Sequence, residues 1–589
     1  MVDIISTMSL SFFFSHGSEY AFIYVTFLFA LLFAFIFFFL SKTFTKSKRA
    51  PLPPGPKPWP IVGNLLEMWR KKPRYRWLHS LMKELNTKIA CVCLGRVHGS
   101  EYAFIYVTFL FALLFAFIFF FLSKIFTKSK RAPLPPGPKP WPIVGNLPEM
   151  WRKKPRYRWL HSLMKELNTE IACVRLGRGY VVPVTSPEIA MEFLKQHDAV
   201  MASRPITVTT SMFSDGFLTV VVAPWGKQWK KMRKVLTHEI LNQTRLEWLR
   251  SKREEEADNL LRVINNTCKS GSVVDVRLVS RHFTGNIIRR MMFNRRYYRQ
   301  GREDGGPCVE EQEHIKALFT MLLYVYALCV SDYLPILKPL DLDGHEKTVR
   351  NALNAIKKYE DPIINERIEM WKEGKRTEPE DLLDVFISVK DDNGKPLLSV
   401  AEIKAQITEL LLATLDNPSN IAEWALAEML NQPEQLQKAV EELDRVVGKE
   451  RLVEESDIPN LSYVVACARE SLRLHPIAPF NLPHVAKEDL TVAATSSLKV
   501  ANRLGLGQNP RVWEDLLRFI PERHFKDNSH ELGLAEPGLR FISFTRGRRG
   551  CMGGTLGTLI TVMLFARLLQ GFTWSIPPEL EKIDLKEND

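Results

Sequence analysis

The sequence predicts a mainly α-helical protein with minor β sheets, behind an N-terminal membrane anchor. Beyond residue 150, apolar residues recur at helical spacing with Lys and Glu on the opposite faces. Strand-like apolar stretches are few and short, such as 172–176 and 180–184. Long uncharged runs precede this body. Since no internal linker interrupts the pattern, we expect one large helical domain from about residue 140 to the end.

The first element is a candidate membrane span. Residues 20–40 form a run of 21 residues without a charge, which is long enough to cross a bilayer as a helix. A basic flank follows at 42–49 and is expected on the cytosolic side. The proline-rich stretch 51–58 then predicts a stiff, extended hinge. A cleaved signal peptide is the alternative, but the run is long for one and shows no small-residue cleavage site.

The segment that contains this anchor occurs twice in the sequence. Residues 98–178 repeat residues 16–96 and differ from them at four positions. A structural repeat array needs about three or more units, so two near-identical copies indicate a recent duplication or a faulty gene structure. Both spans cannot keep their basic flank on the same side of one bilayer. We therefore predict an extra copy at 1–97, an anchor segment at 98–132 with its span at 102–122, and a globular domain at 133–589.

Charge and cysteine content exclude two other classes of protein. The net charge is +14, but residues 16–96 alone contribute +10 and no base-reading motif accompanies them, so no nucleic-acid partner is expected. The eight cysteines show no spacing typical of a disulfide framework or a zinc site. The globular domain is therefore expected to face a reducing compartment.

The body begins its helical pattern at 228–264 and ends on an apolar helix through about residue 570. Ser399 and Glu402 form the sequence signature of a capping box and predict the start of a long helix there. The other periodic segments lie at 310–330, 344–374, 399–431, 433–447 and 460–474.

The strongest chemical signal lies at residues 544–553, just before the last helix. Gly547 permits a tight turn, and Gly553 lets backbone approach a flat cofactor closely. Cys551 stands next to a helix N-terminus, where amide donors and the helix dipole stabilise a thiolate. Arg549 is placed to pair with an anionic group such as a haem propionate. A structural cysteine in a glycine-rich turn is the alternative, but Phe544 and the flanking glycines at these spacings favour haem ligation.

These five positions match the haem-binding signature of the cytochrome P450 monooxygenases, which the sequence therefore resembles. The resemblance implies that family's fold and a haem b whose iron is held by Cys551. Further motifs follow in the expected order. Glu470 and Arg473 resemble, with Arg523, the family's buried structural triad. Trp229 and Arg233 resemble the residues of a helix that contacts a haem propionate.

The helix that starts near Ser399 carries the residues that bear on catalysis. Pro418 has no N–H to donate to the carbonyl of Thr414, so the helix should kink and expose polar backbone. Thr414, Asp416 and Asn417 would then line a groove that holds water and relays protons. A helix that simply ends at Pro418 is the alternative, but the helical pattern continues through 423–430.

Particular motifs resemble one branch, the plant amino-acid N-monooxygenases that form aldoximes. These motifs are Asp416-Asn-Pro-Ser-Asn420, 479–484, the His after Arg523, 342–346 and 304–307. The resemblance implies two successive N-hydroxylations of an L-amino acid, expected to be hydrophobic or aromatic, with O2 and electrons from NADPH. It also implies NADPH–cytochrome reductase docked near Cys551. His484 stands where many members have a propionate-binding Arg. We expect a single-pass protein of the endoplasmic reticulum membrane, in contact with lipid, with a cytosolic catalytic domain.

Two departures from the family pattern leave other hypotheses open. Residues 493–501 lack the family's Pro-Lys-Gly turn between two strands, and the chain stops short of the terminal hairpin expected at the substrate pocket. The alternatives are a C-hydroxylating monooxygenase of plant secondary metabolism, or an inactive membrane-anchored product of a damaged gene.

Overall fold

The computed structural model divides into two units, Met1–Arg131 and Ala132–Asp589. Of the second unit it describes residues 134–586, except 143, 154–155, 178, 299–300, 303–305, 326, 328, 488–497 and 526–532. Of the first unit it describes only residues 80, 82–84 and 115–116. The predicted extra copy and the predicted span at 102–122 therefore lie almost wholly outside the described residues.

The described part of the second unit is mainly helical, as predicted. Its first eight α-helices are α1 (Leu147–Arg152), α2 (Arg156–Glu166), α3 (Pro187–Met191), α4 (Val208–Phe213), α5 (Lys227–Val235), α6 (Gln243–Trp248), α7 (Arg250–Lys269) and α8 (Val276–Phe293). The central ones are α9 (Val309–Tyr324), α10 (Val330–Tyr333), α11 (His345–Lys372), α12 (Leu382–Ser388), α13 (Val400–Leu415) and α14 (Asn417–Leu430). The last four are α15 (Pro433–Val446), α16 (Ser462–Leu474), α17 (Arg503–Gly507) and α18 (Gly554–Gly571).

Four short strands form one sheet beside the helices. They are β1 (Val174–Leu176), β2 (Gly179–Val184), β3 (His484–Val485) and β4 (Leu498–Ala501), in the order β1-β2-β4-β3. Strands β1 and β2 form an antiparallel hairpin, β4 runs parallel to β2, and β3 is antiparallel to β4. The second strand of the region that lacks its turn is thus present as β4, and the residues before it, 488–497, lie outside the described residues.

The main core forms where α7, α8, α13, α14, α16 and α18 pack together. Helix α18 runs through its centre, with Ile560, Leu564, Phe565 and Leu568 buried to 1% exposure or less. Fully burying each such side chain contributes about 1.5–3 kcal/mol. Among the described helices, α18 alone has the length and composition to cross a membrane, but 61% of it is buried inside the protein. Its apolar character is therefore explained by its place in the core.

The start of α13 confirms the predicted capping box. The Ser399 hydroxyl accepts from the amide of Glu402, and the Glu402 carboxylate accepts from the amide of Ser399 at 2.8 Å. These reciprocal bonds satisfy two backbone donors that a helix start would otherwise leave unpaired. The capping box thus fixes the start of α13, the helix that carries Thr414.

Candidate active site

The loop before α18 is held in a tight fold by its own backbone. The amide of Cys551 donates to the carbonyl of Phe544 at 2.9 Å, and that of Gly550 donates to Gly547 at 2.8 Å. Gly547 has a φ of +76°, and a Cβ there would come within 2.1 Å of the Leu194 carbonyl oxygen. Only glycine fits this position, so the loop geometry depends on it.

The thiol of Cys551 is accessible to solvent yet largely surrounded by protein. Burial is the main influence that raises the pKa of this thiol. The Gly553 amide and the charges of Arg233 and Arg503 oppose this rise and favour the thiolate. Cys551 thus stands three residues before Gly554, the first residue of α18, and so close to the helix N-terminus, as the sequence predicted.

Gly553 and Gly557, which follow the cysteine, leave space that a side chain would otherwise fill. A Cβ on Gly553 would have the Cys551 Sγ as its nearest atom, at 3.9 Å. A Cβ on Gly557 would come within 3.2 Å of the Phe544 ring. The ring of Phe544 therefore packs directly on the first turn of α18 and supports the loop, while the face beside Gly553 stays clear.

Arg549 is buried and anchors backbone. Its Nε, Nη1 and Nη2 atoms donate to the carbonyls of Ala202, Val220 and Ala223 at 2.6, 3.0 and 2.6 Å. Its guanidinium also lies 4.7 Å from the centroid of the buried Trp229 ring. Arg549 thus connects the cysteine loop to the segment 202–223. Its predicted pairing with a propionate stays a prediction.

Trp229 and Arg233 lie on α5, which packs against the same loop. Arg233 donates from Nη1 to the Gly550 carbonyl at 2.8 Å, and burial lowers the pKa of its guanidinium. The positive charge of the half-buried Arg233 acts on the Cys551 thiol and favours an anion at that point.

Glu409 was not singled out from the sequence. It lies on α13, the helix that carries Thr414 and is called the distal helix below, and it joins this helix to the segment 202–223. Its carboxylate accepts from the Thr219 hydroxyl at 2.6 Å and from the amides of Val220 and Val221 at 3.0–3.1 Å. Since Val220 also accepts from Arg549, one residue links the distal helix to the cysteine loop. No sequence signal could have shown this, because a single Glu in a helix usually faces solvent.

The distal helix is interrupted at Asp416, as the sequence predicted. Asn417 donates to the carbonyl of Ala413 at 3.0 Å, and Thr414 donates to Leu410 at 2.9 Å. Ala413 and Asn417, one turn apart, are exposed on a helix that is otherwise mostly buried. The exposed face of the interruption therefore carries Asn417.

Asp416 does not share that face. Its carboxylate accepts from Asn420 at 2.8 Å and lies 3.5 Å from the Arg281 guanidinium of α8. Burial raises the pKa of this carboxyl, and Arg281 opposes the rise. The predicted groove with Thr414, Asp416 and Asn417 on one side is thus not brought together: Asp416 is turned toward α8.

The predicted structural triad comes together in the interior. Arg473 donates to both oxygens of Glu470, at 2.7 and 2.9 Å, and Arg523 lies 3.1 Å from the same carboxylate. His524 donates to Glu470 at 2.9 Å and makes a fourth member that the sequence motif did not identify as part of the triad.

His484 is buried and bound to backbone. Its Nδ1 lies 2.9 Å from the Met201 carbonyl and its Nε2 lies 3.4 Å from the Asn481 amide nitrogen. Burial, followed by the charges of Arg204 and Arg549, lowers its pKa well below the ordinary value, so the ring is neutral. With Nδ1 donating to Met201, its Nε2 is an acceptor, which does not suit a propionate.

Arg503, which the sequence did not single out, fits that role better. Its Nε atom is buried without a hydrogen-bond partner among the described residues. The charge that acts on its guanidinium is that of the Cys551 thiolate. Burial lowers the pKa of its guanidinium to about 10. Among the described residues, neither Arg233 nor Arg503 forms an ion pair. A soft thiol ligand, a clear face at Gly553 and these two arginines together fit a flat, anionic, thiolate-ligated group such as haem.

Comparison with known proteins agrees with this geometry. Residues 135–589 match the family described as cytochrome P450. A tryptophan N-monooxygenase from Prunus mume is 60% identical over 485 residues, which is 80% of this chain and 91% of that protein. An isoleucine N-monooxygenase from Lotus japonicus is 54% identical over 81% of this chain and 91% of its own length. A tyrosine N-monooxygenase from Sorghum bicolor is 55% identical over 77% and 83%.

The fold has counterparts among solved structures. A zebrafish cytochrome P450 solved with progesterone superposes with a TM-score of 0.60 and 21% sequence identity, over 74% of this chain and 96% of that one. At this identity the similarity concerns the fold alone.

Proposed function

Because the chain belongs to the cytochrome P450 family, and within it to the plant amino-acid N-monooxygenases, we propose that it converts a hydrophobic or aromatic L-amino acid to its aldoxime. The family and the mainly α fold are those predicted from the motifs around Cys551 and Asp416. The relatives act on tryptophan, isoleucine and tyrosine by name, and they do not favour a C-hydroxylating enzyme or a dead product. The observation that carries the proposal is the Cys551 thiol, which is accessible to solvent and on which the charges of Arg233 and Arg503 act.

Cys551 would hold the haem iron, with Arg233 and Arg503 supplying positive charge beside the thiolate. When bound, the haem would supply the oxygen chemistry, in which one atom of O2 enters the substrate's amino group and the other leaves as water at the expense of two electrons and two protons. Trp229 and Arg549 hold the loop in place through the contacts described above. Their role is to keep the thiolate in position and the site dry.

Asn417 and Thr414 would handle protons and water on the distal side. Asn417 is exposed on the interrupted helix and its side chain donates to the carbonyl of Ala413. Asp416 acts as a positioning residue, because its ion pair with Arg281 anchors the interruption to α8.

The electrons would come from NADPH through NADPH–cytochrome reductase. Lys230 and Lys234 of α5 are exposed, and Arg548 of the cysteine loop is exposed beside them. This basic face suits an acidic docking surface, and its attraction would weaken with salt. We place the chain in the endoplasmic reticulum membrane, held by the span 102–122 in contact with lipid, with residues 133–589 in the cytosol.

The proposal is tested on the full chain expressed in microsomes with the reductase. The reduced, CO-treated membranes should show the band near 450 nm that reports thiolate-ligated haem. Feeding tryptophan, phenylalanine, tyrosine, isoleucine and valine singly with NADPH should yield the matching aldoxime for at least one of them, measured by mass spectrometry. Tryptophan is tested first, because the 60% identical relative acts on it.

Matched cysteine variants make the test specific. Cys551→Ser should lose the band and the aldoxime. Cys268→Ser, which removes an exposed thiol of α7, should keep both. Hydroxylation of a carbon without any N-oxidised product would overturn the proposed reaction, and a missing band in the unmodified chain would show that it does not assemble a working haem site.

A further inference from the structure

A cluster of three ligand-type side chains lies away from the haem site, between helices α9 and α11. It consists of Cys329, Asp343 and His345, and one ligand atom of each lies within 4.8 Å of the others. Cys329 stands just before α10, and His345 is the first residue of α11. The cluster thus draws together the two ends of the connection between the two long helices.

The cluster is buried and incompletely satisfied. Cys329 is 0% exposed and His345 is 3% exposed. The Asp343 carboxylate accepts the Val330 amide on Oδ2 at 3.0 Å, while its Oδ1 is buried with no hydrogen-bond partner among the described residues. A buried carboxylate oxygen without a partner is costly, which favours a cation or a donor at this point.

The histidine is oriented as metal-binding histidines are. Its Nε2 lies 2.5 Å from the Thr209 hydroxyl, and the Tyr324 ring packs edge-on at 4.8 Å between centroids. A bond from Nε2–H to Thr209 selects the tautomer whose Nδ1 carries the lone pair. An outer hydrogen bond that fixes the ring and the tautomer is the usual support of a histidine ligand.

The negative charge of the carboxylates around the cluster also favours a cation. Asp332 and Asp343 both lie near Cys329, and neither forms an ion pair within the described part of the chain, although the charge of Lys338 acts on Asp332. The Asp332 carboxylate is occupied in accepting the amide of Val208 at 2.8 Å. A divalent ion between Cys329, Asp343 and His345 would neutralise this negative charge.

We propose that Cys329, Asp343 and His345 bind one Zn²⁺, with water as the fourth ligand. A set of one sulfur, one nitrogen and one oxygen suits zinc, which takes four such ligands in tetrahedral geometry. On binding, the Cys329 thiol gives up its proton to solvent and the sulfur coordinates the ion as thiolate. Through Thr209 and Asp332, the ion would tie helix α4 to the α9–α11 connection. The spacing along the chain matches no zinc motif, so the sequence did not reveal it.

The test measures metal content of the purified, haem-loaded full chain. The protein is incubated with ZnSO4 and dialysed against a weak chelator, and zinc and iron are then counted by mass spectrometry, with iron reporting correctly loaded protein. The unmodified chain should retain one zinc per iron. Cys329→Ser and His345→Gln should each lose the zinc to background, and a strong chelator should lower the melting temperature of the unmodified chain but not of these variants.

Cys467→Ser is the matched control, because Cys467 is equally buried, at 0% exposure, but belongs to no group of three potential metal ligands among the described residues. It should retain the zinc. The proposal is overturned if the unmodified chain holds no more zinc than Cys329→Ser, or if Cys467→Ser loses as much. If Cys329→Ser fails to load haem, His345→Gln and Asp343→Asn decide by the same count.

Discussion

At the scale of single residues, Glu470 shows how one buried carboxylate organises its surroundings. It accepts two bonds from Arg473, one from His524 and one from the amide of Ile520. Burial alone would raise the pKa of Glu470, but the bonds from Arg473 and His524 outweigh it and lower the pKa to about 2. The carboxylate is therefore ionised at every physiological pH, and its removal would leave the buried Arg473 charge unpaired.

We expect Glu470→Gln to cost about 3–5 kcal/mol, because breaking a buried ion pair leaves one uncompensated charge. The contribution of the ionised carboxylate is fully present above its ordinary pKa of 4.5 and is lost as the pH falls toward about 2. The difference in melting temperature between the unmodified chain and the variant should thus be constant above that ordinary value and shrink below it. Thermal loss of the CO band across this pH range measures it.

The exposed Glu434→Gln serves as control, since its side chain is 81% exposed and pairs only with a surface lysine. It should leave the melting temperature unchanged. A Glu470→Gln variant whose melting temperature tracks the unmodified chain in parallel down to the acid limit would show that Glu470 is not the titrating group.

At the scale of elements, the interruption between α13 and α14 is the feature on which the distal site depends. Pro418 supplies no backbone donor, so the Thr414 carbonyl, one turn earlier, loses its usual partner. Nearby, the Leu415 carbonyl accepts from the Thr284 hydroxyl of α8 at 2.7 Å, and the Asp416 carbonyl accepts from the Ser419 hydroxyl at 2.9 Å and from the Asn420 amide at 3.0 Å. The break is thus held open by side chains, one of them from a neighbouring helix.

Thr284→Val should therefore destabilise the protein by about 1–3 kcal/mol, because it removes a buried donor and leaves the Leu415 carbonyl poorly satisfied. The melting temperature of the haem-loaded chain, followed by the CO band, is the measurement. Thr320→Val is the matched control, since the Thr320 hydroxyl makes a similar bond to Lys316 on an exposed surface of α9. Equal losses in the two variants would mean that the bond at the break has no special weight.

At the scale of the whole molecule, one feature stands apart from the folded body. Residues 16–96 and 98–178 are near-identical, while the cytochrome P450 family matches only 135–589. The second copy is continuous with that body and supplies its hinge and first helices, α1 and α2. The first copy lies outside the residues that match the family.

A chain that lacks residues 1–97 should therefore keep the same CO band per milligram and the same aldoxime turnover per haem as the full chain. Both chains should also stay in the membrane pellet after carbonate extraction, because 102–122 remains as a span. Removal of 1–132 should release the protein from the pellet. Loss of the CO band on removal of 1–97 alone would show that the first copy takes part in folding.

Much of the fold and the centre of the site could be predicted from the sequence, because they depend on signals local in the chain. Helical periodicity, the capping box at Ser399 and the glycines around Cys551 each act over a few residues. The interruption near Pro418 is local in the same sense, since a missing N–H has the same consequence in any helix.

What only the tertiary structure decided involves residues far apart in the chain. Glu409 meets Val220, Asp416 turns to Arg281 rather than to Asn417, and Arg503 comes to lie beside the thiol of Cys551. The direction of a side chain on a helix depends on which neighbour packs against that face, and no short-range pattern records the neighbour. The sequence by itself thus identified Cys551 as the expected iron ligand and determined the helices, whereas packing decided which buried charges meet.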